Sequence, residues 1–123
     1  MKIILDSNII IYSLQPRNEK LSKWIEEHSL YVSAITQLEV LGYHKITQDE
    51  ILFAERYFLN CKMISIQQNI IDKAISLRQE KSMSLGDAII AATAKEHKLA
   101  IVTANTKDFK HIKNLELINP LAV

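Results

Sequence analysis

Six residues near the start, Ile3-Ile4-Leu5-Asp6-Ser7-Asn8, narrow the folds open to this chain. Three consecutive apolar side chains leave no polar face, so the segment reads as a short strand buried on both sides. Strands of that kind belong to parallel sheets with helices on each face. Asp6 falls at the strand's carboxyl end, and Ser7 or Asn8 is placed to cap a helix beginning there. Open parallel sheets bind their ligands outside the carboxyl ends of the strands. One carboxylate therefore stands at the edge where such folds carry their chemistry.

The rest of the chain alternates short apolar runs with helical patterns. Ile9 to Leu14 reads as a short helix stopped by Pro16. Asn18 is placed to cap a helix whose apolar face is Leu21, Trp24, Ile25 and His28. Leu30 to Ser33 reads as a second strand, and Ala34 to Leu41 as a helix ending near Gly42. Thr47 and Glu50 have capping-box spacing and open a helix running to about Cys61. That helix carries Ile51, Leu52, Phe53, Ala54, Tyr57, Phe58 and Leu59, more apolar surface than one stripe needs, so one side is expected to face a partner chain. Lys62 to Ile66 reads as the third strand. Asn69 to Glu80 reads as a helix with Ile70, Ile71, Ala74 and Leu77 on one face. Ser84 opens another helix, apolar nearly all round from Ala88 to Ala94 and so expected to be central and buried. Ala100 to Thr103 and Leu115 to Ile118 supply the last two strands.

Strands separated by helices throughout predict one α/β domain over residues 1–123, with a mostly parallel five-stranded sheet flanked by helices. The strand order stays open. A length of 123 residues leaves little room for a second domain. No apolar run approaches the roughly 18 residues of a membrane span, and no signal peptide is visible before Asp6. The single Cys61 excludes an internal disulfide and a thiolate metal cluster; a reducing, cytoplasmic setting is the expectation. A formal charge of +1 leaves any nucleic-acid partner to a local basic patch.

Further acids arrive at the edge held by Asp6. Glu39 lies in the helix after strand two, Asp87 in the first turn of the apolar helix, and Asp108 beyond strand four. Carboxylates gathered in one place do not stay ionised together without a counter-charge. A hard divalent cation with oxygen ligands, Mg²⁺ or Mn²⁺, is the usual one. Each acid also has a purely structural reading. Asp6 can cap a helix. Thr36 with Glu39, and Ser84 with Asp87, have capping-box spacing. Asp108 sits among Lys107 and Lys110 as a solvated surface acid would. The coincidence of all four at one edge favours the metal.

Other chemistries find less support. His28, His44, His97 and His111 have no i, i+4 pairing suited to zinc. Gly42 and Gly86 are the only glycines, so no dinucleotide fingerprint or P-loop can be written. Ser7 and Ser84 have no nearby histidine to serve as base. Lys107, Lys110, His111 and Lys113 form a basic stretch that reads either as a solvated loop or as phosphate contacts.

These segments, taken together, resemble the PIN domain, and within it the VapC-type ribonuclease toxins of toxin–antitoxin pairs. The carriers are Leu5-Asp6-Ser7-Asn8, Ser33 to Leu41 with Glu39, Leu85-Gly86-Asp87-Ala88-Ile89-Ile90-Ala91-Ala92-Thr93-Ala94, and Ile101-Val102-Thr103-Ala104-Asn105-Thr106-Lys107-Asp108-Phe109. The resemblance implies a five-stranded parallel sheet between helices and a Mg²⁺- or Mn²⁺-dependent endoribonuclease. It makes Asp6, Glu39 and Asp87 the core acids. For the fourth position it offers Asn105, where many members carry Asp, or Asp108, to which we carry the role. It likens Thr103 to a hydroxyl residue near the metal and Asn8 to a residue orienting the first Asp. It also implies an RNA substrate, a small VapB-like antitoxin whose tail covers the acids, and a homodimer.

The expected reaction is hydrolysis of RNA phosphodiester bonds by a metal-activated water, leaving 5′-phosphate and 3′-hydroxyl ends. Two alternatives keep the fold: a non-catalytic RNA- or protein-binding module, and a nuclease directed at DNA. A receiver-like signalling module needs an acceptor Asp after strand three, and none appears before Asp72.

Overall fold

The computed structural model describes residues 1–15 and 18–122. Among these residues five strands form one sheet: β1 (Lys2–Leu5), β2 (Ser29–Ser33), β3 (Lys62–Ile64), β4 (Ala100–Val102) and β5 (Leu117–Ile118). Their spatial order is β3-β2-β1-β4-β5, and every pairing is parallel. The first strand is therefore the central one. Ile3, Ile4 and Leu5 have no exposed surface, as their unbroken apolar run requires.

Among the described residues, six α-helices cover the sheet: α1 (Ser7–Ser13), α2 (Glu19–Glu26), α3 (Ala34–Leu41), α4 (Gln48–Leu59), α5 (Gln68–Glu80) and α6 (Leu85–His97). The strand period of two divides the core between the faces. Ile4 and Ile101 point to one side, among Ile70, Leu77, Ile90 and Phe109. Ile3, Leu5 and Val102 point to the other, among Ile9, Ile25, Val40 and Phe58. The small residues of α6, Ala88, Ala91, Ala92 and Ala94, are buried, and its backbone sits at the heart of the first cluster.

Several local expectations change. The cap of α1 is Asp6 itself, whose Oδ1 accepts from the Ser7 amide at 2.8 Å, so the helix begins two residues earlier than Ile9. Pro16, expected to stop it, lies outside the described residues; α1 ends at Ser13. Asn18 occupies the cap position of α2 but gives its side-chain amide to the Tyr12 carbonyl at 2.7 Å. His28 lies beyond α2 and packs against Trp24, ring centroids 4.5 Å apart. The Thr47–Glu50 capping box forms in full.

The apolar excess on α4 divides. Phe58 is 7% exposed and belongs to the core, whereas Leu52 and Phe53 are each 57% exposed and Leu59 is 85% exposed. A surface for a partner on α4 would therefore be built from Leu52, Phe53 and Leu59. β3 and β5 are shorter than their apolar runs. They are the two outer strands, with one neighbour each.

Candidate metal centre at the carboxyl edge of the sheet

β1 and β4 lie side by side, with Leu5 paired to Val102, so the residues that follow them emerge together. The Asp6 amide donates to the Val102 carbonyl at 3.0 Å, which carries the pairing one residue further. Asp6 is 6% exposed. Its two oxygens have separate partners: Oδ1 accepts from the Ser7 amide, and Oδ2 accepts from the Thr103 hydroxyl at 2.7 Å. Thr103 is fully buried, and its oxygen in turn accepts from the Asn105 amide at 3.0 Å. Burial pushes the Asp6 carboxyl up; the bonds from Thr103 and Ser7 pull it down, and the Asp108 charge adds to the rise.

Thr103 thus holds the first acid in place. Asn8, expected to do so, is exposed and makes no hydrogen bond to Asp6. The correction follows from the cap. With Asp6 at the cap, the neighbouring Ser7 amide turns to its carboxylate, and Asn8 begins the solvent side of α1.

Glu39 is released from its structural reading. The cap of α3 is Ser33, which accepts from the Ile35 amide, so Thr36 and Glu39 make no capping box. Instead Glu39 Oε1 accepts a hydrogen bond from the Ser7 hydroxyl at 2.8 Å. The same carboxylate lies against Gly86 of α6, where a methyl group would stand 2.8 Å from Oε2 and 3.1 Å from Cδ. Gly86 has no positive φ. A glycine inside a helix costs roughly 0.5–1 kcal/mol relative to alanine, and here the backbone does not require one. Its place is explained by room for Glu39.

Asp87 does keep its capping geometry, its amide donating to the Ser84 hydroxyl at 3.1 Å. Its carboxyl is pushed up to about 6, first by burial and then by the charge of Asp6, with further repulsion from Asp108 and Glu39. The other three acids expected at this edge therefore stand close enough to Asp87 to disfavour its charge. Asp108 lies in a short 3₁₀ turn, Thr106–Asp108, anchored by the fully buried Phe109. Asp108 is exposed, and Asn105 precedes the turn and accepts the Asp108 amide on its carbonyl. Lys107, Lys110 and Lys113 are exposed nearby along the chain, and His111 is half-buried.

Among the described residues, no three His, Cys, Asp or Glu side chains stand in closed ligand geometry. The donor set nevertheless fits a hard divalent cation: the donors are carboxylate oxygens, no basic side chain among the described residues pairs with them, and the Asp6 and Asp87 carboxyls are raised first by burial and then by neighbouring carboxylates. A surface depression of about 730 Å³ lies elsewhere, between the end of α1, α2 and α4, and contains none of the four acids.

Ser7 and Gly86 are the residues that sequence reasoning passed over. Ser7 was legible only as a helix starter. Gly86 carried a signal, since a chain with two glycines places one of them in the first turn of an otherwise alanine-rich helix.

An α/β domain with acids gathered at the carboxyl ends of adjacent parallel strands defines the class. The chain belongs to the PIN domain family, whose model matches residues 3–115. It is 31% identical to Toxin FitB of Neisseria gonorrhoeae over 127 residues, covering 87% of this chain and 90% of that one. It is 27% identical to Ribonuclease VapC1 of Rickettsia felis, covering 96% of each. Among solved structures, the toxin–antitoxin complex from Klebsiella pneumoniae contains a chain 31% identical, with a TM-score of 0.77 and coverage of 96% and 97%. DNA-bound VapBC from Salmonella typhimurium contains one with a TM-score of 0.86 at 19% identity, covering 98% of each, a likeness of fold alone. The five-stranded parallel sheet and the family expected from the sequence are thus borne out. Among the described residues, no helix is long and apolar enough to cross a membrane.

Proposed function

We propose that this chain is a divalent-metal-dependent endoribonuclease of the toxin–antitoxin type. The observation that carries the reading is the meeting of Asp6, Glu39 and Asp87 at one edge, with Asp87 held at about 6 by burial and by its neighbours' charges. Its relatives' names, ribonuclease and toxin, point the same way.

Asp6 and Asp87 are the residues that would hold the cation directly, with Glu39 and Asp108 completing its shell. Bound Mg²⁺ or Mn²⁺ would neutralise phosphoryl charge and ease deprotonation of water near neutral pH. Thr103 keeps Asp6 oriented from the buried side. Glu39, exposed at the rim, would orient the attacking water and accept its proton where it is not fully committed to the cation. In-line attack on phosphorus forms the new P–O bond and breaks the bond to the 3′ oxygen. The products are a 5′-phosphate and a 3′-hydroxyl, and the 2′-hydroxyl takes no part. Lys107, Lys110 and Lys113 would meet the RNA backbone, while the folded shape or an exposed loop sets specificity.

A small antitoxin would close the acidic edge with a basic side chain; a chain 31% identical to this one was solved in a toxin–antitoxin complex. The depression beside α4, lined by Leu14, Ile25, Phe53 and Tyr57, offers apolar surface for the rest of such a partner. A second copy of the chain is the other expected partner.

The test is Mn²⁺ titration of the purified chain, with mapping of the ends of any cleaved RNA. Binding that is lost in Asp6→Asn and Asp87→Asn, together with 5′-phosphate ends, supports the reading. Cyclic 2′,3′-phosphate ends would reject the route. Unchanged Mn²⁺ binding in both variants would mean the cation sits elsewhere.

A further inference from the structure

Glu39 belongs to an exposed residue with a long, flexible side chain, yet its carboxylate is pinned at two points. Ser7 Oγ donates to Oε1 at 2.8 Å. On the other side the carboxylate lies over Gly86, so close that a methyl group added there would lie 2.8 Å from Oε2 and 3.1 Å from Oε1. Separations below about 3.0 Å are not tolerated by a real methyl group, so the side chain would have to give way. Neither pin has another evident duty. Among the described residues the Ser7 hydroxyl makes no other side-chain hydrogen bond, and Gly86 adopts no backbone conformation closed to alanine. Both pins adjoin acids of the same cluster: Ser7 follows Asp6, and Gly86 precedes Asp87.

We propose that Ser7 and Gly86 form a seat that fixes the Glu39 carboxylate relative to Asp6 and Asp87. Ser7 is the positioning residue, and Gly86 is the gap that admits the carboxylate. The ends of β1 and α6 thereby each supply one acid and one support for the acid contributed by α3. The consequence for cation binding rests on the proposed metal-dependent function; the seat itself belongs to the metal-free chain.

Gly86→Ala is the direct test. Alanine suits a helix, and the clash falls on the tip of a flexible side chain, so the fold remains and the melting temperature equals or exceeds that of the parent. In a crystal structure of the metal-free variant, Glu39 should be displaced from α6. Mn²⁺ affinity, read by electron paramagnetic resonance, should fall about 10–100-fold, the usual effect of removing a group that orients a ligand. Glu39→Ala should lose as much, and the double variant no more than either alone. Ser7→Ala should weaken binding in the same sense, and Ser7→Thr, which keeps the hydroxyl, should recover it. Parental Mn²⁺ affinity in Gly86→Ala, losses that add to those of Glu39→Ala, or an undisplaced Glu39 would overturn the seat. Absence of Mn²⁺ binding by the parent chain would instead overturn the metal-dependent reading. The crystallographic position of Glu39 would then still decide the seat.

Discussion

Asp87 is the residue at which the cluster's electrostatics become measurable. Its carboxyl stands at about 6 in the folded chain, against an ordinary value of 3.8. The folded state therefore binds this proton more tightly than the unfolded state does. The metal-free chain has the full benefit below about pH 4 and loses it as the pH rises through about 6. In EDTA, Asp87→Asn should accordingly be more stable than the parent at pH 8, and the difference should vanish near pH 4. Denaturant unfolding at the two pH values checks this. A parent more stable than the variant at pH 8 would mean that burial and the neighbouring carboxylates do not disfavour the ionised Asp87. The positions of Asp6 and Asp87 were readable from the sequence because a strand end and a first helical turn locate carboxylates without knowledge of packing. Their supports were not. The Thr103 bond to Asp6 joins residues 97 apart, and the Ser7 bond to Glu39 joins residues 32 apart. No local pattern reports such a pairing. Asn8 was misread because one residue of shift in the cap turns a side chain from the site to solvent.

At the scale of elements, caps decided where sequence reading held. The Thr47–Glu50 box formed because both reciprocal bonds are local. The same spacing at Thr36 and Glu39 failed because Ser33, one residue past the end of the apolar β2 run, took the cap first. The end of α6 carries strain that no glycine or asparagine announced. Lys98 caps it with φ at 55°, in the left-handed region. Lys98→Gly should raise stability by about 1 kcal/mol, read from the denaturation midpoint; a loss would show that the lysine side chain contributes more than its backbone costs. On α4, the exposed Leu52 and Leu59 lie seven residues apart on one face. Replacing both with Glu should leave the fold intact and convert a dimer to monomer in sedimentation. A dimer that persists removes this face as the interface. Phe58, buried in the core, is the wrong residue for that test, a distinction visible only once the helix is packed.

For the molecule as a whole, the sequence carried the class of fold but not the order of its strands. Alternating apolar runs and helical patterns require helices between parallel strands, yet they do not say which strands become neighbours. The observed order places β1 between β2 and β4, and that adjacency brings Asp6, Glu39 and the segment from Thr103 to Asp108 to one edge. The α6 helix, buried because it is apolar nearly all round, delivers Asp87 there from the opposite layer. In the proposed function this edge hydrolyses RNA with a divalent cation. Its most direct test is incubation of total cellular RNA with the purified chain in Mg²⁺, in Mn²⁺ and in EDTA, beside folded Asp6→Ala and Asp87→Ala variants. Discrete fragments should form with Mg²⁺ or Mn²⁺ and disappear with EDTA and in both variants. Cleavage that survives both substitutions would contradict it.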